Sequence, residues 1–160
     1  MSTTNELIAA LDRERVTLLG VLKQVPDEIL TRKNVMGTWS IKDMLAHLTD
    51  QDLLITQMLP ERLATGITPE IIATLNADVD AWNAKFIASR ERLTFTEQLE
   101  ELKRARQALI QVIRDAGEET MKRHQPWPEW KGTTAAYLLQ EVGDHEHEHL
   151  ETLLAALEKI

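Results

Sequence analysis

Apolar residues recur at intervals of three and four along most of this chain, and the two-residue alternation typical of half-buried strands is nearly absent. The first segment shows the pattern clearly, because its apolar positions share one face of a helix and a proline follows them. These positions are Leu7, Leu11, Leu18, Leu22 and Val25, followed by Pro26. Since helical spacing continues almost to the C-terminus, the sequence predicts an all-α fold.

Start and stop signals divide this pattern into five predicted helices. Pairs with capping-box spacing open three of them, namely Thr3 with Glu6, Ser40 with Asp43, and Thr94 with Glu97. Pro60 is expected to close the second helix, Pro69 to open the third and Gly117 to cap the fourth. The predicted helices span residues 4–25, 40–58, 69–90, 95–116 and 134–158. Four long helices suit an antiparallel four-helix bundle that forms one domain over residues 1–160. The remaining helix, 69–90, is expected as an insertion between helices 2 and 3 of that bundle.

Composition excludes several classes of protein. The net charge of −8 at pH 7 argues against nucleic acid or an anionic membrane as a partner, since both attract basic surfaces. The sequence has no cysteine, so it offers neither a disulfide nor a thiolate nucleophile. No basic leader precedes an apolar segment, and no apolar run approaches the roughly 20 residues of a membrane span. A cytoplasmic location is therefore expected.

Three histidines interrupt the apolar pattern. His145 and His149 are one turn apart in the last predicted helix, on the side that also carries Val142 and Leu153. His47 lies at the edge of the apolar stripe of the second helix. Inward imidazoles need partners, and three neutral ones on facing helices could share a divalent metal. Packing with hydrogen bonds to neighbouring glutamates is the alternative, and the pattern alone leaves both open.

The segment of residues 37–48, GTWSIKDMLAHL, resembles the second-helix signature of the DinB/YfiT-like superfamily. That signature combines a tryptophan and a small hydroxyl residue at the helix start with a histidine-leucine pair two turns later. His145 and His149, followed by Leu150 and Glu151, resemble the second signature, and residues 82–113 are also similar to members of the group. The resemblance implies a divalent metal bound by these two histidines and His47 at one end of the bundle. A set of three histidine ligands does not determine which of zinc, nickel, iron and manganese is bound. Zinc or nickel is the expected metal, with iron or manganese as alternatives.

Known members of the group are metal-dependent thiol transferases, isomerases or hydrolases. The resemblance therefore implies a metal-dependent transferase or hydrolase acting on a small molecule, with detoxification as one role and a low-molecular-weight thiol as one partner. The apolar faces of the 69–90 helix and of the loop that carries Trp127 and Trp130 predict a homodimer, which relatives often form. No catalytic residue is assigned beyond the metal, which could activate water or bind a thiol. Candidates to line the substrate pocket are Trp39, Gln51, Trp82, Asn83, Trp127 and Trp130, with packing as the alternative for each tryptophan. Gln51 differs from the aromatic residue that many relatives carry there.

Two other interpretations stay open. Residues 145–149 also match H-E-x-x-H, in which the glutamate of a zinc protease acts as base. However, the metzincin group of zinc proteases needs a glycine and a histidine at the positions of Thr152 and Ala155. Glu146 is also expected to point about 100° away from the histidine pair. His147 and His124 are expected outside the metal site. The second interpretation is a non-catalytic bundle that binds a small ligand, its metal structural or absent.

Overall fold

Helices make up most of the computed structural model, which describes residues 2–160. Met1, the first residue of the predicted domain, lies outside the described residues. The helices are α1 (Thr3–Leu22), α2 (Asp27–Leu30), α3 (Ile41–Thr65), α4 (Glu70–Ala77), α5 (Val79–Ser89), α6 (Phe95–Ala116), α7 (Glu118–Lys122), α8 (Thr134–Leu138) and α9 (His145–Leu157). A π-helical segment, Leu139–Asp144, joins α8 to α9.

The all-α prediction is confirmed. Across residues 2–160 the extended pairing is limited to isolated bridges that join Met36 to Trp39, His124 to Thr133, and Trp127 to Trp130. None of the helices in this range is long and apolar enough to cross a membrane.

Helix starts follow the capping signals at two of three predicted sites. Ser40 and Thr94 form complete capping boxes with Asp43 and Glu97. At the N-terminus the cap lies one residue earlier than predicted, because Ser2 rather than Thr3 accepts the hydrogen bond from the Asn5 backbone. The N–H of Thr3 instead donates to the Glu118 carboxylate at 2.9 Å.

The prediction that Pro60 ends the second long helix is wrong. α3 continues through Pro60 and ends at Gly66, whose φ of 71° is left-handed. An internal proline costs about 3 kcal/mol. Leu59 and Arg62, on either side of it, are fully buried, and burial of a leucine alone contributes about 1.5–3 kcal/mol. Packing of the helix end against the core is thus of the same size as the local cost of the proline and offsets it.

Other differences are smaller. The predicted 69–90 helix is split at Asp78, whose side chain accepts a hydrogen bond from the Ala81 backbone and so caps α5. The short helices α2 and α7 lie in segments with no predicted helix. The predicted 134–158 helix is continuous, but its middle is the π segment Leu139–Asp144.

Two clusters of buried apolar side chains form the core. The tryptophan-end cluster is built around Leu7, Leu11, Ile55, Met58, Leu59, Leu109, Ile113, Trp127, Tyr137, Leu138 and Val142. The histidine-end cluster is built around Leu18, Leu22, Ile41, Met44, Leu45, Leu48, Leu102, Leu150 and Leu153. Going along the chain, α1 and α9 pass from the tryptophan end to the histidine end, whereas α3 and α6 both pass the other way. The bundle is thus not antiparallel throughout, because α4 and α5 carry the chain back between α3 and α6.

Four buried charged residues separate the two clusters, and each long helix contributes one. We call them the ion quartet: Arg15 from α1, Asp52 from α3, Arg106 from α6 and Glu146 from α9, with exposed fractions of 5%, 1%, 4% and 1%. Their two positive and two negative charges balance. The Arg15 guanidinium contacts both carboxylates, at 2.7 Å to Glu146 and 3.1 Å to Asp52. Arg106 also contacts both, at 3.0 Å to Asp52 and 2.5 Å to Glu146.

Backbone carbonyl groups complete the ion quartet. Arg15 donates its remaining Nη1 bond to the Leu102 carbonyl and Arg106 donates to the Leu11 carbonyl, each at 3.0 Å. Buried charges are tolerated when such pairs and hydrogen bonds satisfy them. The ion quartet therefore fixes how the four long helices face one another.

Two glycines on the helices should respond in opposite directions to alanine. Gly66→Ala is expected to destabilise the protein by about 1–2 kcal/mol, because an alanine in the left-handed conformation is strained. Gly20→Ala is expected to stabilise it by about 0.5–1 kcal/mol, since Gly20 lies inside α1 and a Cβ there meets no atom within 4 Å. Urea denaturation of both variants measures this, and equal signs would contradict the assignment of the α3 terminus.

Candidate metal centre

His47, His145 and His149 meet at one side of the bundle. Nε2 of His145 lies 3.0 Å from Nε2 of His47 and 3.3 Å from Nε2 of His149. One nitrogen from each ring lies within 4.8 Å of the other two, and all three side chains are half-buried. The three histidines predicted from the sequence are therefore brought together, His47 by α3 and the other two by α9.

The π segment sets the direction in which α9 presents its histidines. A π turn is wider than an α turn, so residues spaced by four stay on one face across it. Val142, Glu146 and Leu150 accordingly point into the core. His145 and His149 are turned to the edge of the core instead of its centre, which corrects their predicted position within the apolar stripe. At the edge the two imidazoles can reach a third helix and still lie close to solvent.

Trp39 and Asn83 contact the imidazoles from outside the cluster. The Trp39 ring stacks on His149 with 18° between the planes and lies 5.1 Å from the His47 ring centroid. Asn83, on α5, has its Oδ1 3.1 Å from Nδ1 of His47. These two pocket candidates therefore border the histidines.

The histidine cluster favours neutral imidazoles. Burial, and then the neighbouring His149 and His145, lower the pKa of His47 to about 3. Burial and the charge of His145 lower the pKa of His149 to about 4. Burial also lowers the pKa of His145, although nearby carboxylates oppose this. Neutral imidazole is the form that binds metal, so at neutral pH all three histidines are in the protonation state that metal binding requires.

The donor geometry fits a divalent cation. Two neutral imidazole nitrogens that face each other form a hydrogen bond only if one carries a proton, and Nε2 of His145 faces two such neighbours. A tetrahedral ion bound at about 2.0–2.1 Å would hold its ligands about 3.3–3.4 Å apart, close to the two distances measured from Nε2 of His145. Within residues 2–160, no further histidine, aspartate or glutamate joins this group. The residues present therefore fit an ion with three protein ligands.

Gln51 and Trp82 hold neighbouring elements rather than the imidazoles. Gln51 donates from Nε2 to the carbonyl oxygen of Glu141 at 2.7 Å and so ties α3 to the π segment. Trp82 donates from Nε1 to Asp50 at 2.6 Å and so ties α5 to α3. Burial raises the pKa of Asp50, while the Trp82 hydrogen bond and Arg90 oppose the change.

The structure does not bring Trp127 and Trp130 to the histidines. Both rings pack edge-on against Tyr137, with centroids 5.1 and 5.7 Å away. The buried Arg62 guanidinium lies 4.0 Å above the Trp127 ring and donates to the Tyr137 hydroxyl. Tyr137 lies eight residues before His145, about two helical turns away, so these tryptophans belong to the tryptophan-end cluster. Their aromatic and cation–π contacts account for their position there.

The remaining histidine positions agree with the sequence analysis. His147 faces away from the cluster and contacts Glu14 at 3.1 Å, while His124 contacts the Lys131 carbonyl in the loop after α7. Both oxygens of Glu146 bind the arginines of the ion quartet. Burial opposes its ionised form, but the hydrogen bonds and charges of Arg15 and Arg106 outweigh burial and lower its pKa. Glu146 therefore does not face the histidines as the base of a zinc protease would.

Metal-free protein is expected to lose stability as the pH falls from about 6.5 to about 5. In the unfolded chain the three imidazoles bind protons near their ordinary pKa of 6.5, whereas the lowered pKa values keep them neutral in the folded chain. Below pH 6.5 the unfolded state therefore binds more protons, and acid favours it. Ordinary carboxylate pKa values of 3.8 and 4.5 lie below this window, and the raised pKa of Asp50 acts in the opposite direction to the three imidazoles. Urea midpoints of chelator-treated protein between pH 5 and 8 measure the effect.

His147 provides a control of opposite sign. Its hydrogen bond to Glu14 raises its pKa, so its contribution to stability is present below pH 6.5 and is lost as the pH rises through the folded value. His147→Ala should therefore steepen the loss in acid, and His47→Leu should reduce it. A urea midpoint that is constant from pH 6.5 to 5 in the unsubstituted protein would contradict the prediction.

Fold and site together define an all-helical bundle protein with a candidate three-histidine metal centre at one side. The chain belongs to the DinB superfamily, because the model of that family matches residues 10–153. It is similar to the uncharacterized protein YuaE of Bacillus subtilis (strain 168), with 27% identity over 159 residues that cover 96% of this chain and 98% of that protein. In fold it is similar to the crystal structure of an uncharacterised protein from Escherichia coli UTI89, with a TM-score of 0.74 and 19% identity, covering 99% of this chain and 95% of that one.

Proposed function

We propose that this protein is a divalent-metal-dependent enzyme, a thiol transferase or hydrolase that acts on a small molecule. The observation that carries the proposal is the convergence of His47, His145 and His149, whose nitrogens lie within 4.8 Å of one another. Structural zinc sites usually have four protein ligands, whereas catalytic sites have three and leave a position for substrate or water. A set of three ligands therefore favours catalysis over a structural ion.

A divalent ion held by three neutral imidazoles keeps its full charge and supplies Lewis acidity toward water, a carbonyl group or a thiol. The chain supplies what surrounds it. His47, His145 and His149 would hold the ion, and Trp39 lies against two of their rings, stacked on His149 and tilted by 49° to His47. Because the chain has no cysteine, a thiol in the reaction has to come from a separate small molecule.

A groove between Trp39 and α5 supports a small-molecule substrate. Its volume is about 300 Å³, and its lining residues are Lys33, Trp39, Asp43, Ala84, Ile87, Ala88 and Glu91. A larger groove of about 480 Å³ lies at the tryptophan end, between the C-terminal parts of α3 and α6. We favour the smaller groove, because its lining residue Trp39 also contacts His47 and His149, whereas the larger groove lies at the other end of the bundle.

Metal analysis followed by an activity screen tests the proposal. Purified protein should contain about one divalent ion per chain, with zinc or nickel expected first and iron or manganese after them. The metal-loaded protein should then catalyse either transfer of a low-molecular-weight thiol to electrophilic substrates or hydrolysis of activated esters and amides. Chelation should abolish the activity and metal should restore it. Metal bound without either activity across the screen would instead support a non-catalytic role.

A further inference from the structure

Nε2 of His47 faces the candidate metal position, while Nδ1 of the same ring faces α5. The partner of Nδ1 is Oδ1 of Asn83 at 3.1 Å, and Nε2 lies 3.0 Å from Nε2 of His145. A neutral imidazole carries one proton, on either nitrogen, and only the nitrogen without a proton can bind metal. The hydrogen-bond partner that fixes the proton of His47 on one ring nitrogen therefore decides whether Nε2 is free to bind metal.

An amide oxygen can only accept a hydrogen bond. With Oδ1 of Asn83 toward the ring, the proton of His47 is held on Nδ1 and Nε2 is left free for metal. Metal-bound histidines generally donate their outer N–H to such an acceptor, which fixes the tautomer and orients the ring. The outer nitrogen of His145, in contrast, is buried and has no hydrogen-bond partner within residues 2–160. His47 is thus the ligand whose orientation α5 controls.

The helix that carries Asn83 lies at the surface of the bundle. Neither α4 nor α5 has a fully buried residue. Two adjacent side chains attach α5 to α3: Asn83 contacts His47, and Trp82 donates to Asp50 at 2.6 Å, one turn further along α3. Of these two polar contacts, only that of Asn83 reaches an imidazole, whereas that of Trp82 ends on Asp50.

We propose that Asn83 is a positioning residue of the metal site, which holds His47 in the tautomer that binds metal and thereby couples the docking of α5 to metal binding. The inference rests on the proposed metal-dependent function and adds a residue from a third helix to the site. Coupling is reciprocal, so a bound metal should also hold α5 in place.

Three variants separate the hydrogen bond from mere packing. Asn83→Ala should weaken zinc binding by about 10–100-fold, the usual loss when the outer partner of a metal-bound histidine is removed. Asn83→Asp keeps an acceptor at the same place and should bind zinc at least as tightly as the unsubstituted protein. Trp82→Phe removes the other attachment of α5 and serves as the control, with a loss below about 3-fold.

Two readouts do not depend on enzyme activity. Nitrogen-15 chemical shifts of the His47 ring in metal-free protein should show the proton on Nδ1 in the unsubstituted protein and in Asn83→Asp, and a mixture of tautomers in Asn83→Ala. Hydrogen exchange of the α5 amides should slow when zinc binds, and slow less in Asn83→Ala.

Two results would overturn the inference: unchanged tautomer and zinc affinity in Asn83→Ala, or an equal loss of affinity in Trp82→Phe, which would assign the effect to α5 packing. The tautomer measurement remains decisive even if the protein binds no metal, so failure of the proposed function is distinguishable from failure of this inference.

Discussion

Purified His145→Ala protein is expected to lose its divalent metal, with affinity lowered by more than about 100-fold. Removal of an outer partner of a metal ligand already costs about 10–100-fold, and removal of the ligand itself should cost more. His145 is the central member of the site, since its Nε2 lies close to the corresponding atom of both His47 and His149. Metal content by atomic spectroscopy, together with zinc titration against a competing chelator, measures the loss.

His147→Ala is the matched control for this experiment. It removes an imidazole from the same helix, but His147 is exposed and faces Glu14 and Glu151. Its metal content should equal that of the unsubstituted protein. Circular dichroism of both variants establishes that the helices remain. Full metal occupancy in folded His145→Ala would show that the ion binds elsewhere.

The second large effect is expected in the ion quartet. Asp52→Ala should destabilise the fold by about 3–5 kcal/mol, because Arg15 and Arg106 would then share one carboxylate in a buried site. A typical domain has only about 5–15 kcal/mol of stability in total. The urea midpoint should therefore fall sharply. Glu61→Ala, which removes an exposed carboxylate from the same helix, should change it by less than about 0.5 kcal/mol.

A double variant distinguishes charge balance from lost packing. Asp52→Ala combined with Arg15→Ala leaves Arg106 paired with Glu146 at 2.5 Å and restores neutrality. The double variant should therefore be less destabilised than the sum of the two single changes, by roughly 0.5–3 kcal/mol. Strict additivity would mean that the four residues act independently and would contradict the assignment.

Helical periodicity predicted the fold class and the pairing of His145 with His149, because residues four apart on a helix share a face whatever surrounds them. It could not predict that α3 and α6 run in the same direction, since a hydrophobic pattern carries no information on where the next helix packs. Pro60 shows a related limit: its local cost is visible in the sequence, but the burial of Leu59 and Arg62 that offsets it depends on the tertiary structure.

The ion quartet and the contact of Asn83 were missed for different reasons. Arg15, Asp52 and Arg106 each interrupt an apolar stripe, so their burial had a signal in the sequence, although their mutual pairing did not. Asn83 was predicted to line the pocket, and its hydrogen bond to His47 joins residues that are 36 positions apart. No spacing rule in the sequence links His47 and Asn83. How closely α5 approaches α3 depends on the path of the chain between α3 and α6.

The ion quartet also constrains the order in which this chain can become compact. During synthesis Arg15, Asp52 and Arg106 emerge before Glu146, so a nascent chain that lacks α9 carries two arginines and one aspartate at the level of the ion quartet. Closing three helices around an unpaired charge would cost several kcal/mol. The middle of the bundle should therefore stay hydrated until α9 arrives, and the last carboxylate brings both the balancing charge and the two adjoining histidines. The packing of α9 thus closes the core and assembles the candidate metal centre in the same step.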